Sequence, residues 1–218
     1  MGTVSRLSAR WLPGATLGAA CWLSSGGAQA SPSADELLRE AHVHEGARED
    51  DLALRRYAEA LALDPTLGDA YLGLAAVRIR LGDVREAVHV FDAALSHLPD
   101  LAAARLGRAH AQRVLGALRE ADLDLEAYAA ATDDPAALRE LAGWYAEEGR
   151  PLAQLAAWRR LLERAERDDG DAPLRREARL TVHALEVIVG TADPVRAPPD
   201  EPHASAVRRA MARIEARR

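Results

Sequence analysis

Residues 68–99 read GDAYLGLAAVRIRLGDVREAVHVFDAALSHLP. Small and apolar residues recur at helical spacing on both sides of Gly82, with Tyr71, Leu74 and Ala75 before it and Ala87, Phe91 and Ala94 after it. The glycine permits the left-handed backbone that ends a helix, and Asp83-Val84-Arg85-Glu86 reads as a capping-box-like start for the next one. Pro99 cannot continue that second helix, because its ring removes the backbone donor. The stretch therefore predicts two antiparallel helices. Ala75 in the middle of the first and Ala87 early in the second let the backbones approach closely, and Phe91, one turn later, fills the gap between them.

The pattern recurs outward from this stretch. Ala41, Ala75, Ala109 and Ala142 are separated by 34, 34 and 33 positions, bulky Tyr57, Phe91, Leu125 and Trp158 keep the same intervals, and Gly82, Gly116 and Gly149 keep the last two. Three series in phase mark an internal repeat. At Tyr71, Leu74, Ala75, Gly82, Ala87, Phe91, Ala94 and Pro99 the unit resembles the tetratricopeptide repeat, departing at Arg78 where that family carries Tyr. The first unit keeps Leu37, Ala41, Ala53, Tyr57, Ala60 and Pro65 but has Arg48 in place of the turn glycine. The third keeps Ala109, Gly116 and Ala121 but sets Arg105 and Arg108 at apolar places. The fourth keeps Leu138, Leu141, Ala142, Tyr145, Gly149 and Trp158, with Gln154 replacing a small residue.

One hairpin cannot bury its apolar side alone, so neighbours must stack. The expected fold is all-α, with four helical hairpins at about 34–67, 68–101, 102–134 and 135–168; Ser33 with Glu36, and Asp134 before Pro135, mark two of the helix starts. Leu180, Val182, Leu185, Ile188 and Val189 predict a capping helix over 172–190, with a strand at the β-branched run 187–189 as the alternative. Pro194, Pro198, Pro199 and Pro202 make 191–203 a linker. A short helix over 204–218, bearing Arg208, Arg209, Arg213, Arg217 and Arg218, reads as a solvated end.

The resemblance implies a right-handed α-solenoid whose concave groove, lined by first helices, receives a peptide or partner helix. Carried onto this chain, the groove places are Leu38 and His42, then Leu72, Ala76 and Ile79, then Leu106, His110 and Arg113, and finally Arg139. Apolar anchors followed by a carboxylate would suit that floor, because arginine can grip a carboxylate through two parallel bonds. The same leucines could instead pack between units. The chaperone-docking members of the family use lysines and asparagines here, and this chain has neither residue anywhere.

Composition narrows the function classes. All 28 basic residues are Arg and the net charge is -6, so no broad positive field favours nucleic acid as a partner. His42 and His44 would point about 200° apart on a helix, too far for one ion. Asp168-Asp169-Gly170-Asp171 lacks the spaced oxygens of a calcium loop, and neither a phosphate-cradling glycine loop nor a G-x-S-x-G elbow occurs. The expectation is a non-catalytic scaffold without metal or small-molecule cofactor, whose partners are other proteins.

Arg6 and Arg10, the apolar run from Trp11 to Leu23, and Ala28-Gln29-Ala30 together read as a secretory signal over 1–30, which places the protein in the periplasm or outside the cell. Leu17-Gly18-Ala19-Ala20-Cys21 offers a lipoprotein signal as the alternative, and membrane association is expected only if Cys21 is lipidated. Another alternative role is an accessory, chaperone-like subunit of an enzyme maturation system. Intact mass of the mature protein from its native host separates the two signals: a chain starting at Ser31 is expected, and a diacylated Cys21 would establish the anchor instead.

Overall fold

The computed structural model describes residues 32–167 and 171–191, together with 212, 213 and 216. The signal expected over 1–30, the linker over 192–203 and nearly all of 204–218 lie outside the described residues. Nine α-helices and no strand occur among those described. They are α1 (Ala34–Gly46), α2 (Asp50–Leu63), α3 (Gly68–Arg80), α4 (Val84–His97), α5 (Ala102–Val114), α6 (Leu118–Thr132), α7 (Pro135–Glu147), α8 (Pro151–Arg167) and α9 (Ala172–Ile188). Successive helices pack on one another along the chain, so four hairpins stack into a solenoid and α9 follows as a ninth layer. The run 187–189 ends a helix instead of forming a strand, since Val187 and Ile188 belong to α9 and Val189 caps it.

Local sequence explains several helix ends. Ser33 and Glu36 form a reciprocal capping box, with Ser33 N–H donating to Glu36 at 2.9 Å and Glu36 N–H to the Ser33 hydroxyl at 3.3 Å. Asp134 accepts from Ala136 N–H at 2.8 Å, just before Pro135 in the first turn of α7. Gly82, Gly116 and Gly149 all adopt positive φ, and the residue after each donates back across the turn, as Asp83 N–H does to Arg78 carbonyl at 2.9 Å. Arg48 makes the same turn without glycine: its φ is 63° and Glu49 N–H reaches His44 carbonyl at 2.9 Å, although a left-handed side-chain-bearing residue costs about 1–2 kcal/mol. The expected capping box at Asp83 does not form. Its carboxylate accepts from Arg78 at 3.2 Å and makes no side-chain cap to α4.

The core follows the repeat. Ala41, Ala53, Ala75, Ala87, Ala109 and Ala121 are all 0% exposed, so the first and second helices of three hairpins meet through methyl groups. In the fourth, buried Ala142 is matched by buried Gln154, whose amide oxygen has no hydrogen-bond partner among the described residues. Tyr57, Phe91, Leu125 and Trp158 are all buried. The arginines at apolar places of the third unit have acceptors. Arg108 donates to both oxygens of buried Asp124 at 2.7 Å and to Asp92 at 2.7 Å, while Arg105 donates to the Pro99 carbonyl at 2.6 Å.

The rings of Tyr57 and Phe91 reach into the next hairpin and require a glycine there. A Cβ at Gly73 would lie 2.3 Å from Tyr57 Cζ, and one at Gly107 would lie 2.4 Å from Phe91 Cζ. One repeat on, Leu125 replaces the ring and the position 33 after Gly107 is Glu140, a full side chain. Ring and glycine are thus a coupled pair. Gly107→Ala is expected to destabilise the protein by about 1–3 kcal/mol through overpacking, although alanine is the better helix former. In a Phe91→Leu background the same change should become neutral or stabilising; a denaturation double-mutant cycle measures this, and simple additivity would refute the coupling.

Candidate functional site

The first helices come together on one side of the array. Besides consecutive helices, α1 meets α3 and α3 meets α5, whereas among the described helices no second helix makes comparable contact with another second helix. The first-helix side is therefore the inner, concave wall. The expected groove residues lie on these helices, and their surroundings differ from one end to the other.

Toward the N-terminal end, Leu38 and Leu72 are half-buried against the cores of the first two hairpins, while Ala76 and Ile79 are exposed. His42 stands edge-on to the Tyr57 ring, with centroids 5.5 Å apart, and its Nδ1 lies 3.0 Å from the phenol oxygen. The same phenol donates to Glu45. Burial, and then the Glu45 carboxylate, push the Tyr57 hydroxyl well above its ordinary pKa, so it remains a neutral donor. Arg80 spans back from α3 to Glu45 and Asp50 of the first hairpin.

Toward the C-terminal end, His110 and Arg113 are held by α7 and the residue that caps it, and Arg139 by α9. Leu106 is half-buried against the large core of the third and fourth hairpins. His110 Nε2 lies 2.9 Å from Glu140, and its ring stands edge-on to Trp144 at 5.9 Å. The Arg113 guanidinium sits 4.5 Å from the Trp144 ring centroid and donates to Glu147 and to Glu148, the latter at 3.0 Å. Partial burial opposes the Arg113 charge, but the two carboxylates hold its pKa above the ordinary value. Arg139 donates to Glu177 of α9 at 3.0 Å. His110 and Arg113 thus converge on Trp144, whereas Arg139 turns toward α9.

Sequence reasoning missed Trp144, Glu140, Glu147 and Glu148 on this wall. A usable signal existed, because His110 and Trp144, and Arg113 and Glu147, are each 34 positions apart, one more than the 33 that separates equivalent places of these two units, which sets them near one another on neighbouring first helices. Glu147 and Glu148 also line an open cleft of about 540 Å³ with Ala146, Gly149, Pro151 and Ile188 of α9. Among the described residues, no group of three His, Cys, Asp or Glu side chains is placed to hold a metal.

Glu148 ties the wall to the turn behind it. Burial works against its charge, but Arg150, bonded at 3.0 Å, and Arg113 hold its carboxyl below the ordinary 4.5. A depressed carboxylate stabilises the fold above its unfolded value, and that contribution is lost as pH falls through the folded value. Glu148→Gln should therefore lower the urea midpoint at neutral pH and converge with the parent protein on acidification below 4.5. Parallel curves across that window would show that Glu148 contributes nothing through its charge.

No protein-family model matches the sequence, and no curated protein matches it. Solved structures do. The MamA protein superposes with a TM-score of 0.58 at 15% identity, covering 84% of this chain and 92% of that one. YrrB, described as a TPR protein with an unusual peptide-binding site, gives 0.54 at 18% identity over 84% and 87%. PilW, a type IV pilus biogenesis factor, gives 0.50 at 20% over 84% and 77%. These likenesses establish the fold of this chain as that of tetratricopeptide-repeat proteins.

Proposed function

We propose that this protein is a non-catalytic scaffold that holds an extended segment or helix of another protein along the inner wall of its solenoid. The tetratricopeptide fold supports protein binding in general terms, as in YrrB with its described peptide-binding site. The observation that carries the reading is the asymmetry of the wall. Ala76 and the 41%-exposed Ile79 form an accessible apolar stretch beside half-buried Leu72 and Leu106, whereas the wall beyond is charged.

The charged half modifies the partner chemistry expected from sequence. Arg113 and Arg139 already donate to Glu147, Glu148 and Glu177, so a guest carboxylate would have to displace internal partners. Glu147 is 65% exposed in its side chain and borders the cleft, which favours a guest that places a basic group there after its apolar anchors. The proposed setting is envelope assembly after export, on the strength of the residues 1–30, and PilW, a pilus biogenesis factor, is a fold relative compatible with it.

A photo-crosslinking side chain at Ile79 should capture a discrete partner in the native envelope, and one at Leu63, exposed on a second helix, should not. Ala76→Glu should abolish that capture with the melting temperature unchanged, since Ala76 is exposed. Equal capture from both positions, or capture indifferent to Ala76→Glu, would remove the inner wall as the binding surface.

A further inference from the structure

Three carboxylates and two guanidinium groups form one chain that runs from the interior to the inner wall. Asp122 of α6 accepts from Arg150, in the turn before α8; Arg150 also donates to Glu148, the cap of α7, at 3.0 Å. Arg113 of α5 donates to the other oxygen of Glu148 at 3.0 Å and to Glu147 of α7. Glu148 is thus shared by both arginines, which couples the two ends of the chain. A change that draws Arg150 away from Glu148 turns Arg113 toward it and frees Glu147. A change that presses Arg150 onto Glu148 returns Arg113 to Glu147. With three anions against two cations, the chain is one cation short.

The missing charge is visible at both ends. Asp122 is 5% exposed, yet its Oδ1 is enclosed without a hydrogen-bond partner among the described residues. A buried acceptor left without a donor is costly. Nearby Asp124, also buried, has both oxygens bonded to Arg108. The other groups around Asp122 are already engaged: Glu126 of the same helix accepts from the Tyr145 hydroxyl, and the Arg150 guanidinium lies 4.5 Å from the Tyr145 ring centroid. At the opposite end Glu147 stands 65% exposed at the open cleft beside Gly149 and Pro151. A guest cation at Glu147 would supply the absent charge. Arg113 could then turn wholly to Glu148, leaving Arg150 free to close on both oxygens of Asp122, so that each carboxylate has one cation. A guest carboxylate taking Arg113 would have the opposite effect and leave the anions further in excess.

We propose that these five side chains act as one cation-binding unit, in which buried Asp122, through Arg150 and Glu148, sets how strongly Glu147 holds a guanidinium or ammonium group of a guest. The proposal rests on the reading of the inner wall as a binding surface and adds the residues behind the wall that set its preference for charge. Asp122 is a positioning residue here, since it acts on the guest only through its neighbours. Its influence carries because the intervening groups are partly buried, with Arg113 and Glu148 at 19% and 14% side-chain exposure, where charges are screened less than in open water.

Titration of the full chain with N-acetylargininamide tests it, followed by the indole N–H resonance of Trp144, because Arg113 lies 4.5 Å from that ring. N-acetylcitrullinamide, which has nearly the same shape without the charge, is the control. At about pH 8, where carboxylates are ionised, the arginine compound should shift the resonance saturably and the citrulline compound should not. Glu147→Gln should abolish the shift. Asp122→Asn should weaken the apparent affinity about three- to tenfold, and Arg150→Gln should strengthen it by a similar factor, both effects shrinking as salt is raised. The opposite signs discriminate, since a structural disturbance alone would weaken binding in both variants. Arg150 is 46% exposed in its side chain, so its variant should fold even if Asp122→Asn lowers the melting temperature. An unsaturable shift in the parent protein, an Arg150→Gln variant that binds no more tightly, or a folded Asp122→Asn variant that binds as well as the parent would overturn the proposal. No partner protein enters this titration, so its failure with capture at Ile79 intact would strike the cation site alone, whereas lost capture at Ile79 would strike the inner wall.

Discussion

The methyl-to-methyl contact between paired helices is the constraint that sets the architecture of this protein. With Ala41 against the second helix that carries Ala53, and the pairs Ala75 and Ala87, Ala109 and Ala121 repeating it, each hairpin closes tightly. The large residue one turn beyond then has no room inside its own hairpin and must enter the next. Tyr57 and Phe91 do so over Gly73 and Gly107, which couples successive units mechanically and fixes their relative rotation. The accumulated rotation brings α1 against α3 and α3 against α5 and opens the second helices outward, producing the concave wall.

Charge is organised by the same repeat. The basic residues of this chain are all arginines, and the planar guanidinium can serve two acceptors at once. Arg80 joins Glu45 and Asp50, Arg108 joins Asp92 and Asp124, Arg113 joins Glu147 and Glu148, and Arg150 joins Asp122 and Glu148. All of these but Arg150–Glu148, which lies within one turn, bridge separate helices or a helix and a turn. Buried Asp122 shows what this offsets: burial raises its carboxyl pKa, and the Arg150 bond works in the opposite direction. Because the inner wall's cations are committed to neighbours, apolar surface near Ile79 and acidity at Glu147 are what it leaves exposed.

Legibility in the sequence depends on how local the cause is. Ser33 with Glu36, and Asp134 before Pro135, can be read as helix starts because a cap involves residues within one turn. Asp83 misleads for a reason outside that turn, since Arg78 competes for its carboxylate. Arg48 can be seen to replace a glycine but not to adopt a left-handed backbone, which the packing of α1 on α2 imposes. Resemblance assigns the leucines of the wall to the groove. Their half-burial shows that Leu38, Leu72 and Leu106 pack against the core, which the resemblance did not separate from a place in the groove.

The order and type of the described helices, the alanine pairs and the turn glycines were determined by sequence alone, because spacing along a helix dictates which residues share a face. Only the tertiary structure decided that Arg113 lies over Trp144 between two glutamates, that Arg108 is held by Asp124 and Asp92, and that a ring from one hairpin occupies the space a glycine leaves in the next. Those arrangements join residues 16 to 35 positions apart, and their geometry depends on the rotation between helices, which one-dimensional spacing does not specify.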